Sequence, residues 1–441
     1  MSLFAICLLL AVVALAPVAW YLLKRGADPF NPMVFLGGLA FVSTDRRLLF
    51  NPGPALDFMP ASAYKTYLYI AIASLLALYA GWAVWKYRHP VTRVVPARSL
   101  AEYRRQYDPV RLLIAGMFLG VLSLGAFVVS HGRYRLTGYI RDLMSLNLPA
   151  AVLIMQAIIL DTSLLWAGVV GLGAAMARSV FLFFSYGSRG QTASVAALVA
   201  VPYLIKQSRP LKPVLVAIAV LVGLVMLTLT RSRVVLSEGL AQNRVGAVIL
   251  AVESMFNGHH RSYTAGSDTV VGAAEVQAVQ ALHNWGYGGG FLWDVVTVFP
   301  PHEWFPNKGY WQTQWGNGPA PDHSFLSSIH KATGVPVPPG SGQPGFGQIF
   351  VQYGWFFPLF WFALGYVLHY CYSAAIFGRR LNYQAFMVII YLSALYLVTQ
   401  GPKPATFVFI FAFFPALLAY RWSRLDLSDP LAQRSRPRPI Y

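Results

Sequence analysis

The chain reads as an all-α polytopic membrane protein, and three observations carry that reading. Hydrophobic residues make up 56% of its 441 residues and charged residues 11%, a balance that no ordinary water-soluble domain holds. The apolar residues gather in runs near the ~20 residues that a spanning helix needs. The densest clusters of Lys and Arg fall in alternate loops between those runs, the pattern that sets orientation across a bilayer.

The runs lie at 3–23, 31–44, 64–85, 111–130, 149–170, 171–187, 191–205, 213–230, 346–375, 383–400 and 404–420. They predict about eleven transmembrane helices, within a range of roughly ten to twelve. The first run is apolar from Leu3, with no charged leader and no small-residue cleavage site before Lys24, so it is expected to stay as a helix. The second opens on Asn31 and Pro32. An acid in the fifth run, Asp161, and a base in the sixth, Arg178, are expected to form an ion pair, with a proton path as the sharper alternative. Four regions follow: eight spans in 1–230, a large external loop in 231–345, three spans in 346–420 and a basic cytoplasmic tail in 421–441.

Orientation comes from the basic clusters. Lys24 and Arg25, the seven basic residues from Lys86 to Arg111, Lys206 with Arg209 and Lys212, Arg379 with Arg380, and Arg421 to Arg438 occupy alternate loops. Placing them inside puts the N-terminus outside and the C-terminus inside. The net charge of +18 is thereby largely a matter of topology and of contact with membrane lipids. It is not a nucleic-acid signal.

The loop at 231–345 is too long to be a mere connector. Residues 234–256 and 270–285 carry apolar positions at helical spacing, predicting short amphipathic helices on the membrane surface or across a cavity mouth. From Gly286 the texture turns rich in Gly, Pro and aromatics. Trp293, Trp304, Tyr310 and Trp311 fit interfacial anchoring, and equally fit stacking on sugar rings.

The two cysteines, Cys7 and Cys371, both lie inside apolar runs, which excludes a disulfide framework and a thiolate zinc site. No acid pair stands near a basic cluster and no HExxH or HxxxH motif occurs, so no metal and no cofactor are expected. A second population of basic residues opposes the orientation rule or gains nothing from it. Arg133 and Arg135 follow the fourth run, Arg189 sits between the sixth and seventh, Arg231 and Arg233 follow the eighth, Lys308 lies in the large loop and Lys403 between the last two runs. A planar guanidinium binds phosphate oxygens in pairs and stays charged at any working pH, so these residues suit a lipid diphosphate. Arg189 stands out, because SYGSRGQTAS gives it flanking Gly187 and Gly190 for a tight re-entrant turn. An intramembrane charge costs roughly 2.5–3.5 kcal/mol to insert and therefore needs a partner. For base chemistry, His323 in APDHSF offers a near-neutral imidazole, with Glu275 and Asp322 as alternatives.

Several of these pieces resemble the Wzy-type oligosaccharide repeat unit polymerases, relatives of the O-antigen ligases. They are the Asn31-Pro32 opening, GSRG at 187–190, the GYGGGFLWDVVTVFPPHEWFPNKG run in the large loop and PGFGQIFVQYGWFFPLFWFALG at the start of the ninth span. Arg261 and Gly272 match an R-x10-G spacing described for some polymerases. Where the family pattern has an Arg near the FPP element, Pro301 and His302 stand here, leaving Lys308 and His302 as substitutes. The resemblance implies a GT-C-like membrane glycosyltransferase of the bacterial inner membrane with its site facing the periplasm. Its donor and acceptor would both be polyprenyl-diphosphate-linked oligosaccharides, with a flippase and a chain-length regulator as partners. It implies diphosphate binding by Arg133, Arg135, Arg189, Arg231, Arg233, Lys308 and Lys403, with His323, Arg189, Arg231 and Glu275 in catalysis. An O-antigen ligase and a lipid-linked sugar transporter or flippase are the competing expectations.

Overall fold

The computed structural model describes residues 1–23, 31–43, 48–49, 53–89, 100–131, 143–186, 268–282, 329–330, 332–335, 344–376 and 380–425. Apart from one antiparallel bridge between Tyr107 and Arg424, the regular structure among these residues is helical. Six helical segments are long and apolar enough to cross a membrane: Leu3–Trp20, Ala61–Arg88, Pro109–Val129, Gly345–Ile376, Leu381–Thr399 and Ala405–Ser423. Two shorter apolar helices, Pro32–Phe41 and Met144–Leu160, accompany them. The runs expected at 191–205 and 213–230 and the helical stretch at 234–256 lie outside the described residues. Side chains such as Phe118, Val121 and Leu418 stand exposed on the spans, as lipid-facing side chains do and as few water-facing helices could bear. The protein is an all-α, multi-pass membrane protein.

The chain divides into two compact units. The first comprises Met1–Pro90, Pro210–Tyr370 and Ser393–Phe407; the second comprises Val91–Arg209, Cys371–Leu392 and Val408–Tyr441.

In the first unit, α1 (Leu3–Leu23) packs on α2 (Pro32–Ser43) and on α4 (Ala61–Arg88), with the single turn α3 (Gly53–Leu56) before it. The Asn31-Pro32 opening is a helix start. The Asn31 side chain accepts a hydrogen bond from the Met33 amide at 2.9 Å, capping α2 while proline fills the first helical position, where no amide proton is needed. The run expected as one span at 346–375 is interrupted: α10 (Gly345–Tyr353) ends in a 3-10 turn at Gly354–Phe356 before α11 (Phe357–Ile376). The break falls at Gly354, whose φ of 54° and ψ of −138° suit only glycine. Helices α4 and α11 meet backbone to backbone, since a Cβ on Gly81 would strike the Phe362 carbonyl and one on Gly365 the Leu78 carbonyl. Close approach through small residues is how helices associate where lipid removes the hydrophobic drive.

In the second unit, α5 (Leu100–Gln106), α6 (Pro109–His131), α7 (Asn147–Leu160) and α8 (Leu165–Tyr186) are joined by parts of α12 (Leu381–Gln400) and α13 (Pro402–Ser423). The boundary expected near 170 lies instead at Asp161–Leu164, where the Asp161 carboxylate accepts from the Ser163 amide at 3.1 Å and from its hydroxyl at 2.9 Å. Those bonds start a new turn and hold Asp161 below the usual carboxylate range, chiefly through the Ser163 amide. Two basic segments meet at this unit's end: Asp108 donates its amide to the Ser423 carbonyl at 2.8 Å, and Leu425 donates to Gln106 at 3.0 Å. That juxtaposition is what two loops on one side of a membrane require.

The expected pairing of Asp161 with Arg178 does not form. Asp161 follows α7 and pairs with Arg104 at 3.9 Å, while Arg178 donates to the Met144 carbonyl, just before α7, at 2.8 Å. The two residues sit at opposite ends of one helix, and hydropathy alone could not see the reversal of chain direction between them.

Replacing Gly354 with Ala forces a non-glycine residue into its conformation, and should cost about 1–3 kcal/mol, read as a lowered unfolding midpoint in detergent.

Candidate functional site

The large loop contributes helix α9 (Asp268–Leu282), which packs on two membrane helices and brings a carboxyl against one of them. Its apolar positions predicted an amphipathic helix on the membrane surface or across a cavity mouth; Val270, Val271, Ala273, Ala274, Val276, Ala278 and Val279 are all buried, and α9 packs on α4 and α10, which rules out the surface-lying alternative. Small and β-branched side chains on both faces, with no described charge except Glu275, let the helix bury nearly all round.

Glu275 is fully buried. Its Oε1 accepts a hydrogen bond from Gln348 Nε2 at 2.7 Å, and its Oε2 has no hydrogen-bond partner among the described residues. Three glycines shape the place. A Cβ on Gly347 would stand 2.5 Å from Oε2 and 3.3 Å from the backbone of Gly272; a Cβ on Gly272 would stand 2.5 Å from the Tyr67 ring; and one on Gly345 would strike the Leu397 carbonyl. The carboxyl thus lies over the first turn of α10, where the amides at the head of a helix favour negative charge. Burial nevertheless wins: it pushes the carboxyl from 4.5 up to about 8, and the Gln348 hydrogen bond pulls it only part of the way back. A charged carboxylate loses far more hydration than one neutral amide donor returns. At neutral pH the group is mostly protonated and can give up its proton near the working pH of the cell, as general acids and bases do.

The geometry gives physical roles to residues that the sequence marked only by resemblance. PGFGQIFVQYG supplies Gly345 for the α12 backbone, Gly347 for the carboxyl and Gln348 as its donor. Gly272, half of the R-x10-G spacing, is required for the contact with Tyr67 and Pro344. Gln348 was not among the expected site residues. The signal that could have found it is the G-x-G-Q spacing at a helix start, which sets a polar side chain directly after the second of two glycines.

The other expected site residues are distributed as follows. Arg133, Arg135, Arg189, Arg231, Arg233, Lys308, His323, Trp293, Trp304, Tyr310 and Trp311 lie outside the described residues, as do Arg261, His302 and Asp322. Lys403 falls in the first turn of α13. Lys65 sits partly buried in the second turn of α4, the end that also carries Tyr67. Arg178, not expected at the site, is held in α8 by the Met144 carbonyl, beside a buried Asn147–Ser179 hydrogen bond of 2.7 Å. The described part of the site is therefore the carboxyl alone.

These features define a multi-pass membrane protein, helical in its described residues, in which a helix of the large loop packs on two spans and buries an ionisable group against one of them. No protein-family model, no curated protein and no solved structure matches the chain.

Gly347→Ala should drive a methyl group into the Glu275 carboxyl and cost about 1–3 kcal/mol, measured by denaturant unfolding of the purified protein. Gly38→Ala, where a Cβ meets nothing within 4 Å, should be neutral or mildly stabilising in the same experiment.

Proposed function

We propose that the chain polymerises polyprenyl-diphosphate-linked oligosaccharide repeat units without a metal, on the outer face of a bacterial inner membrane that it crosses about eleven times. The observation that carries this reading is Glu275, a buried carboxyl on a loop helix, raised to about 8 and seated by the same PGFGQ segment that resembles the polymerases. Transfer joins an acceptor sugar hydroxyl to the anomeric carbon of the donor chain. The hydroxyl proton leaves to a base, and the carbon–oxygen bond to the diphosphate breaks with its electron pair moving to the phosphate oxygen. Negative charge grows on that oxygen, so preorganised cations lower the barrier. Arg133, Arg135, Arg189, Arg231, Arg233, Lys308 and Lys403 are assigned to the diphosphate. His323 is the first candidate base and Glu275 the second, with Trp293, Trp304, Tyr310 and Trp311 as sugar platforms. The substrates and membrane lipids are the required partners, with a flippase and a chain-length regulator supplying units and setting length.

One observation favours a second reading. Transporters place substrates at interrupted helices, and the break at Gly354 is such an interruption. A ligase, passing a finished glycan to a different lipid acceptor, shares the donor chemistry and differs only in the acceptor.

The test is to reconstitute the purified protein in liposomes with a polyprenyl-diphosphate-linked repeat unit and chelator, and to separate the products on a gel. A ladder spaced by one repeat is expected. Movement of the unextended lipid-linked sugar across the bilayer, with no ladder, would establish the transporter instead. Arg189→Ala and Arg231→Ala should abolish extension with insertion unchanged, whereas His323→Ala should slow it by ~10²- to 10⁴-fold, the usual contribution of general base assistance.

A further inference from the structure

Helix α9 joins the large loop to membrane helices of the first unit, and among the described residues its Glu275 carboxyl makes a polar contact with α10. Among the described residues, the neighbours that touch Glu275 are uncharged. From α10 come Gln348 and Gly347, with the titratable Tyr353 at the far end of that helix. From α4 come Tyr67 against Gly272, with Tyr64 and Lys65 in the adjoining turn. Helix α9 itself carries Asp268 two turns earlier. Burial and the Gln348 hydrogen bond act on the Glu275 charge in opposite directions, and burial is the larger.

We propose that the seating of α9 on α4 and α10 is a proton-controlled latch: the neutral Glu275 carboxyl holds the helix down through Gln348, and loss of the proton releases it. The neutral acid fits the closed site, since it needs little hydration and Gln348 satisfies Oε1. The carboxylate does not fit, since Oε2 is set against Gly347 with no donor among the described residues. Released into water, the same carboxylate recovers its full hydration and its ordinary value of 4.5. The docked helix therefore binds a proton that the released helix gives up at any pH between 4.5 and about 8. Docking is strongest below 4.5, weakens as pH rises through that window, and levels off above about 8. One proton per opening sets the steepness at up to about tenfold per pH unit. The latch stands whether or not the chain transfers sugars. It also allows a buried carboxyl to become an exposed, ionised one on opening.

The experiment is amide hydrogen exchange by mass spectrometry on the full chain in lipid nanodiscs, each rate divided by its chemical exchange rate at that pH. In the natural protein, protection of peptides from 268–282 should fall by up to about a hundredfold from pH 5.5 to 7.5, while peptides from α6 stay constant. Glu275→Gln keeps the shape and removes the titration, so its protection should not change with pH. Gln348→Leu removes the donor that favours the charged form, so its loss of protection should continue beyond pH 8. That variant serves as well should Glu275→Gln not insert. Constant protection of α9 in the natural protein, or the same pH dependence in Glu275→Gln, would overturn the latch. Neither result depends on the product ladder.

Discussion

Where helix α9 of the large loop meets α10, a buried carboxyl has one oxygen held by Gln348 and the other without a partner among the described residues. Glu275 could occupy that position only because the facing surfaces are stripped to backbone. Gly347 admits Oε2, and Gly272 admits the Tyr67 ring. Gln348 reaches across to hold Oε1. An ordinary helix interface would have filled those positions with methyl groups and gained packing. This one gives up that gain to place an ionisable group where its protonation state decides its fit. Structure and titration are the same fact seen twice: the contact that seals Oε2 is also what raises the carboxyl to about 8.

The same economy of side chains runs through the spans. Where α4 crosses α11, Gly81 and Gly365 each rest on the other helix's carbonyls, and Gly37 of α2 rests on the Ala14 carbonyl of α1. In the second unit Gly116 lies against the Ala150–Ile154 turn of α7, and Gly120 against Ala175 of α8. Lipid tails are as apolar as leucine, so burying leucine between helices gains little. Close backbone approach gains dispersion contacts that lipid cannot match, and the glycines sit where that approach occurs. Polar side chains add direction. Gln156 of α7 donates to the Leu381 carbonyl at 3.2 Å and accepts from the Tyr420 hydroxyl, tying three helices of the second unit at one buried point.

Much of this fold was legible in the sequence because a bilayer leaves few options. Runs of apolar residues at 3–23, 64–85, 111–130, 383–400 and 404–420 became helices within a few residues of their expected ends. The failures share one cause: hydropathy averages over residues whose individual hydrogen bonds decide the path. Asp161 ended a helix because its carboxylate could reach the Ser163 amide, and an average over its apolar neighbours hid that. Asp161 and Arg178 looked like partners because opposite charges in adjacent spans invite pairing; the reversal at 161–164 put them at opposite ends of α7. The α9 pattern read as an amphipathic helix on the membrane surface or across a cavity mouth because Glu275, Gln277 and Gln280 look polar in sequence, yet its burial depended on partners far along the chain, Tyr67 of α4 and Gln348 of α10. Glu275 itself was legible as a candidate acid. Its donor was not, because nothing in the spacing between Glu275 and Gln348 announces contact.

Arginine keeps its charge at any physiological pH, so the arginines proposed to hold a diphosphate are always ready and cannot themselves report acidity. Histidine and a raised carboxyl can. A reaction whose leaving group is already a good one needs modest base assistance and strong exclusion of water, because water would hydrolyse the donor as readily as a sugar hydroxyl would extend it. Under the proposed reading, the latched helix would serve water exclusion in its neutral closed state and base assistance only in its ionised open state. Closed, it presents no charge and admits no water to the carboxyl; open, it presents a carboxylate of ordinary strength. Placing the ionisable group on the loop and its donor on the span, with glycine between them, makes the proton the least costly component to remove, and the geometry needs no other moving part.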